Sequence, residues 1–274
     1  MPETHRNWER AVQSLRDDPG SVELVRACFY DDPIASAAER FFESTEWRET
    51  MGLLPTPGRA LEIGAGRGIA SYALARCGWK VTALEPDPSA IVGAAAIREL
   101  SMASGWPIEV IEQWGETLPF DDKSFDLVYC RAVLHHARDL HILCKEAFRV
   151  LKEGGTFLAV RDHVISLRDD LPTFLAAHPL HRLYGGENAF LLGEYLEAIL
   201  NAGLQIVRTL GPFSSDINLF PDTKAGLKCR IGRRLHLPGF LPIPDLALRI
   251  FDWHTDAPGR HYSFVARKPA GRTP

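Results

Sequence analysis

From residue 59 onward the apolar positions alternate between two periods. Short apolar or every-other-residue runs occur at RALEI (59–63), KVTALE (80–85), IEVIE (108–112), FDLVYC (125–130), TFLAV (156–160), LQIVRTL (204–210) and YSFVARK (262–268). These read as strands. Between them lie runs with helical spacing. IASYALARCG reads as a helix ending at Gly78. PSAIVGAAAIREL (88–100) reads as another, with Asp87 or Ser89 as its cap. In ARDLHILCKEAFRVLKEGG, residues Leu140, Leu143, Cys144, Ala147, Val150 and Leu151 form one apolar stripe, with Gly154 and Gly155 as the stop. AFLLGEYLEAILNAG (189–203) predicts a further helix. Strands and helices in this alternation imply βαβ units and a mainly parallel sheet, whose ligands sit beyond the carboxyl ends of the strands.

Two regions stand outside the alternation. Residues 1–55 read as two or three helices, AVQSLRDD and then SAAERFFESTEWRETMGLL. Residues 214–260 form a proline-rich interruption before the last strand, and a long insertion at such a place serves more often as a lid than as inert loop. The expected organisation is a helical cap at 1–55, a core at 56–213 with 261–270, and a lid or substrate insertion at 214–260.

Bulk composition narrows the function classes. The chain has 274 residues, 46% of them hydrophobic and 24% charged, which is globular composition. Its 35 acids outnumber its 31 lysines and arginines, a net charge of −4, so no nucleic-acid partner is expected. The five cysteines are scattered, and no pair has metal-ligand spacing. Neither a disulfide framework nor a metal is expected. The polar start and the lack of a long apolar run predict a cytoplasmic protein without an integral membrane segment, a monomer or a homodimer.

The chemistry centres on ALEIGAGRGIA (60–70). A dinucleotide fingerprint needs a third glycine where Ile69 stands, and no Lys-Ser or Lys-Thr follows to make a phosphate loop. Glu62, beside Gly64, Gly66 and Gly68, disfavours a pyrophosphate and suits a cationic ligand. Glu85 closes the next strand, the position of a ribose acceptor in nucleotide-binding βαβ units. Ribose with positive charge and no pyrophosphate points to S-adenosylmethionine (SAM).

Several segments in order resemble the class I SAM-dependent methyltransferases, in particular the small-molecule group of the ubiquinone-biosynthesis type. LEIGAGRG is similar to the first SAM motif and ALEPD to the ribose-binding strand end. GETLPFDDKSFDLVYC is similar to the adenine loop leading into the fourth strand. RAVLHH and KEAFRVLKEGGTFLAV resemble the segments that follow. The resemblance implies an α/β fold: a Rossmann-like, seven-stranded, mostly parallel sheet with helices on both faces, here carrying the N-terminal cap and the late insertion. It also implies contacts to the methionine part from Gly64, Ala65, Gly66 and Gly68, with Glu62 nearby. Glu85 would take the ribose hydroxyls, and Pro86 or Asp87 would flank the adenine. The family's usual Asp-Ala pair is replaced by Trp114-Gly115. Gly115 keeps an amide, whereas Trp114 accepts no hydrogen bond, so either Trp114 stacks on the adenine or Glu116 becomes the acceptor.

Methyl transfer from a sulfonium is an in-line displacement in which the protein mainly supplies proximity. Arg131, His135 and His136 follow the fourth strand, and Asp162 and His163 the fifth, all at the carboxyl edge. Arg131 is assigned to the cofactor; His135, then His163, are the candidate general bases. His136, with His181, Tyr184, Glu187 and Asn188 from HPLHRLYGGENAF, are the candidate substrate contacts; Asn188 is equally a cap for the next helix, and Gly185-Gly186 a candidate hinge. The basic run KAGLKCRIGRR and the apolar LPGFLPIPDLALRIF complete the insertion. The expected function is SAM-dependent methylation of a small, hydrophobic metabolite, as in natural-product biosynthesis, with S-adenosylhomocysteine as coproduct. The alternatives are another use of the sulfonium, releasing methylthioadenosine, or a non-catalytic SAM-binding subunit.

Overall fold

A computed structural model describes residues 3–236 and 243–271. The strands are β1 (Arg59–Ile63), β2 (Lys80–Leu84), β3 (Ile108–Ile111), β4 (Phe125–Arg131), β5 (Leu151–Ile165), β6 (Phe190–Leu191), β7 (Gln205–Leu210) and β8 (Arg260–Arg267). They form one sheet in the order β3-β2-β1-β4-β5-β8-β7. The pairs from β3 to β5 are parallel, and β8 runs antiparallel to both β5 and β7. The sheet has eight strands, not the expected seven, because the two-residue β6 pairs with the far end of the long β5.

Both faces of the sheet are covered, as strands buried on two sides require. On one face pack α3 (Ile34–Phe42), α4 (Thr45–Met51), α5 (Ile69–Arg76) and α6 (Ala94–Ser104), around Phe41, Trp47, Leu74 and Ile97. On the other pack α7 (Leu140–Val150) and α10 (Leu192–Asn201), around Cys144, Ala147, Tyr195 and Ala198.

Several boundaries differ from those expected. The helix predicted from Pro88 begins at Ala94, because Asp87 and Ser89 cap a turn instead: the Asp87 carboxylate accepts from Ser89 N (2.8 Å) and the Ser89 hydroxyl from Val92 N (3.3 Å). The helix predicted to run to Gly154 ends at Val150. Leu151 is fully buried and turns extended to pair with Phe125, so the stop comes from the sheet and not from the glycines. Asn188 caps nothing: α10 begins at Leu192, and the Glu194 carboxylate accepts from Leu191 N at 2.9 Å.

The cap region holds α1 (Glu3–Asp17) and α2 (Val22–Ala27) besides α3 and α4, four α-helices where two or three were expected. After β5 come α8 (Leu171–Ala177) and α9 (His181–Tyr184); the late insertion carries α11 (Asp216–Leu219), α12 (Lys224–Arg234) and α13 (Asp245–His254). Cap and later segments meet, since α1 packs on α9 and α4 on α11. Part of the expected apolar stretch LPGFLPIPDLALRIF lies outside the described residues. On α12, part of the basic run is paired, with Lys224 beside Glu49 of α4 (3.7 Å), Lys228 held by Asp245 and Arg230 by Asp222. No helix among the described residues is long and apolar enough to cross a membrane.

Candidate functional site

The glycine turn leaves β1 at the carboxyl edge. Gly64, Gly66 and Gly68 all have positive φ (65°, 55° and 76°), which glycine adopts without steric cost. Two of them are also required by packing. A Cβ on Gly64 would lie 2.7 Å from Val133 Cγ2, and one on Gly68 would lie 2.9 Å from Ile97 Cγ2. At Gly66 the nearest atom, Val92 O, is 3.9 Å away, so the turn is open on that side. Arg67 anchors the turn to the cap, donating to Phe29 O and Asp31 O, both at 2.9 Å.

Glu85 stands where β2 ends and is 8% exposed. Its two oxygens accept from Gly66 N (2.7 Å) and Asp87 N (2.9 Å), which aims the carboxyl along the turn. Burial pushes it up to about 7, against the pull of the two amides. Glu62 is more deeply buried, receives the Ser71 hydroxyl, and is pushed by burial up to about 8. A carboxyl so shifted carries little charge at neutral pH, so the cation attraction expected of Glu62 appears only once a cation reaches it.

The expected adenine loop is more committed than the sequence suggests. The Arg138 guanidinium lies 4.0 Å from the Trp114 ring. A Glu116 oxygen already accepts from Arg138 N at 2.9 Å. Gly115 is buried, and a Cβ there would meet Ile63 Cγ2 at 2.8 Å. Pro86 is half-buried beside Glu85, and Ala65 is buried in the turn.

Arg131, assigned to the cofactor, has another partner. Its guanidinium makes a two-pronged pair with Glu46 of α4 (2.6 and 2.9 Å) between the rings of Phe29 and Phe41. Glu46 is fully buried. The sequence offered no signal for it beyond an acid in a short amphipathic helix. The pair clamps the cap to the end of β4.

Next to this clamp the backbone is irregular. Ala132 and Arg161, neither of them glycine, have φ of 55° and 63°, a conformation that stores strain and clusters at functional sites. Arg161 also marks a register shift in β5, which re-aims the residues after it. Those residues are Asp162 and His163.

Around them the fold gathers a buried group of imidazoles and carboxylates. His135 is 1% exposed; its Nδ1 lies 2.9 Å from Asp162 Oδ1, and its backbone N donates to the same oxygen at 3.2 Å. His163 Nδ1 bonds Gly259 O at 2.7 Å. From the segment after α9 comes Glu187, buried, accepting from the Tyr184 hydroxyl at 2.8 Å. Three imidazole nitrogens surround its carboxylate: His136 Nε2 at 3.6 Å, His135 Nε2 at 3.7 Å and His178 Nδ1 at 3.8 Å. Trp8 of α1 covers the group, edge-on to His136 and Tyr184, and Phe174 of α8 flanks His163.

Burial opposes charge on His135, yet the adjacent Asp162 and Glu187 carboxylates push it up to about 9. His136, buried beside that charge, falls to about 4, and burial also holds His163 well below its ordinary value. Glu187, despite its burial, is held far below the carboxylate range by these histidines. His135 therefore carries a proton at neutral pH, and it becomes a base only when that proton is displaced. Of the candidate substrate contacts, His136, Tyr184 and Glu187 join this group. His181 belongs to α9, where its N donates to His178 Nδ1 at 3.4 Å, and Asn188 is half-buried without joining it. Asp162 and His178 complete the group. His178 opens the HPLHRLYGGENAF segment, and the folded loop brings its Nδ1 within 3.8 Å of Glu187.

Residues 61–159 match a family model described as a methyltransferase domain. The chain is 34% identical over 113 residues to a ubiquinone biosynthesis O-methyltransferase of Methylobacterium sp. (strain 4-46), covering 41% of this chain and 44% of that protein. It is 32% identical to a sarcosine/dimethylglycine N-methyltransferase of Halorhodospira halochloris, over 47% of this chain and 45% of the other. These alignments thus span less than half the length of either relative. Among solved structures, a putative sarcosine dimethylglycine methyltransferase from Galdieria sulphuraria superposes with a TM-score of 0.57 at 21% identity, covering 88% of this chain and 90% of that one. Residues 61–159 thus match a methyltransferase domain, and the sheet that carries them has the fold of the solved methyltransferase structure.

Proposed function

We propose that the chain transfers a methyl group from SAM to a small, largely apolar acceptor. The observation that carries this reading is the coupling of Glu85 to the open glycine turn. A buried carboxyl is held by two backbone amides beside a Gly66 whose outer side is free. That arrangement fits a ribose diol and a methionine backbone lying side by side. Bound there, SAM supplies an already activated methyl group.

In this reading Glu85 takes the ribose hydroxyls, and Gly64, Ala65, Gly66 and Gly68 follow the methionine part. Glu62 answers the ammonium, Pro86 and Gly115 border the adenine, and Trp114 offers it a ring to stack on. Arg131 acts on the cofactor only indirectly, by fixing the cap through Glu46. The acceptor lies at the ends of β4 and β5, against the histidine–carboxylate group. Its aromatic walls, Trp8, Phe174 and Tyr184, favour an aromatic or otherwise apolar molecule. The cap (1–55) and the insertion (214–260) act as the lids that exclude water.

Titration calorimetry with SAM and with S-adenosylhomocysteine tests the first half of this reading. Both are expected to bind, and Glu85→Ala to weaken them by about 1–3 kcal/mol; a wild-type chain that binds neither overturns it. Mass spectrometry of a reaction with SAM and a panel of phenolic and amine acceptors tests the second half. Methylated product with S-adenosylhomocysteine supports methyl transfer, whereas methylthioadenosine, or turnover without loss of SAM, refutes it.

A further inference from the structure

The distances around Glu187 leave a gap that hydrogen bonding does not fill. His135 Nε2 and His136 Nε2 stand 3.7 and 3.6 Å from Oε2, and His178 Nδ1 stands 3.8 Å from Oε1. These spacings are too long for N–H···O bonds. The His135–Glu187 spacing of 3.7 Å suits two donors that share an ion, because ligands about 2.1 Å from a common centre in a tetrahedron lie roughly 3.4 Å apart. The group is shielded from solvent, the Glu187 and His135 side chains being only 3% and 2% exposed.

Three ligand atoms converge on it. One nitrogen of His135, one of His163 and one carboxylate oxygen of Glu187 all lie within 4.8 Å of one another. Each histidine is prepared in the same way. His135 bonds Asp162 through Nδ1 and His163 bonds Gly259 O through Nδ1, which leaves the Nε2 of each for the ion, the His135 Nε2 proton being released on binding. A carboxylate or a backbone carbonyl on the far nitrogen is the support that metal-bound imidazoles have. Glu187 is likewise oriented, by the Tyr184 hydroxyl.

We propose that His135 Nε2, His163 Nε2 and the Glu187 carboxylate bind one divalent transition-metal ion. Two imidazoles with one carboxylate select a borderline ion of the zinc or ferrous class over magnesium or calcium. Three protein ligands leave a coordination position for an exogenous oxygen donor, and its chemical class is an anionic oxygen such as a phenolate or enolate. The role of that oxygen as a methyl acceptor rests on the methyl-transfer reading; the binding of the ion does not. The spacing of the ligands along the chain hides the site, because they come from three separate segments after β4, within β5 and after α9.

The test uses the whole chain, stripped with a chelator and titrated with cobalt(II) alone, reading visible d–d absorption and calorimetric stoichiometry. One ion per chain is expected, displaced by zinc(II). His163→Ala and Glu187→Gln, each checked for a cooperative melt, should weaken binding by at least about 100-fold. No saturable cobalt binding to the folded wild type overturns the proposal, as does binding unchanged in both variants. If a variant fails to fold, X-ray absorption of the zinc-loaded wild type decides. Imidazole scattering at about 2.0–2.1 Å supports the site, and an all-oxygen or thiolate shell overturns it. SAM binding measured on the same stripped protein keeps the two readings apart. SAM bound without cobalt uptake sinks the metal site alone, and cobalt uptake without methylation sinks only the proposed reaction.

Discussion

Replacing Glu85 by glutamine should remove a pH dependence from cofactor binding, not merely weaken it. In the unliganded chain burial raises this carboxyl to about 7. Hydroxyl donors bond a carboxylate more strongly than a neutral acid, so in the proposed ribose contact the cofactor would draw on the ionised form. With that value roughly 9% of the carboxyl is ionised at pH 6 and roughly 91% at pH 8, a tenfold change worth about 1.4 kcal/mol. Wild-type affinity should therefore rise about tenfold across this interval.

The amide of the Glu85→Gln variant cannot titrate and offers one acceptor oxygen. Losing charge-assisted bonds costs about 1.5–3 kcal/mol, so at pH 8 the variant should bind roughly 10–100-fold more weakly, with the deficit shrinking about tenfold by pH 6. Calorimetry with S-adenosylhomocysteine at constant ionic strength, in buffers of different ionisation enthalpy, reads both affinity and proton release. Glu62 and the ligand titrate in both proteins, so only the difference between the curves reports Glu85. Parallel curves would refute the reasoning. The same shift has a stability counterpart. The folded value lies above the ordinary value of 4.5, so the native state holds the proton more tightly than the unfolded chain does. That contribution is complete below pH 4.5 and is lost as pH rises through about 7. Unliganded wild type should lose stability over that window more steeply than Glu85→Gln in thermal melts.

Three further outcomes are expected. Glu46→Gln leaves the Arg131 guanidinium buried without its counter-charge and should destabilise the chain by about 3–5 kcal/mol in urea titration, whereas the double change Glu46→Leu with Arg131→Met should cost less than Glu46→Gln alone. Gly64→Ala combines a positive φ with a Cβ 2.7 Å from Val133 Cγ2; about 2–3 kcal/mol should be lost, and Val133→Ala in the same chain should restore part of it. Cys229 is exposed while Cys130 and Cys144 are buried, with burial raising both buried thiols. An aromatic disulfide reagent should therefore titrate Cys229 in the native chain, and Cys130 and Cys144 only on unfolding; rapid native reaction at Cys144 would contradict the packing of α7.

The strands from β1 to β5, β7 and β8 were legible because a doubly covered sheet demands continuous apolar runs, and RALEI, FDLVYC and TFLAV supply them. Element ends were less so. Pro88-Ser89 reads locally as a helix start, but Ala94 N bonds Asp87 O at 2.7 Å and the segment folds into a turn instead. Such competition between a side-chain cap and a tertiary bond has no signature in spacing alone. The glycine turn and Glu85 could be paired from the sequence because one strand–helix–strand unit carries both.

What the sequence determined by itself, then, is everything set by local period and short range: the alternation of strand and helix, the glycine turn after the first strand, and an acid at the end of each of the first two strands. The tertiary structure alone decided which charges are neutralised and where. It paired Arg131 with Glu46, made Glu62 and Glu85 weak acids by burying them, and drew His135, His163 and Glu187 into ligand distance. The physical reason is that charge and coordination depend on burial and on contacts between distant segments, and those exist only after the sheet, the cap and the β5–α10 connection have packed together.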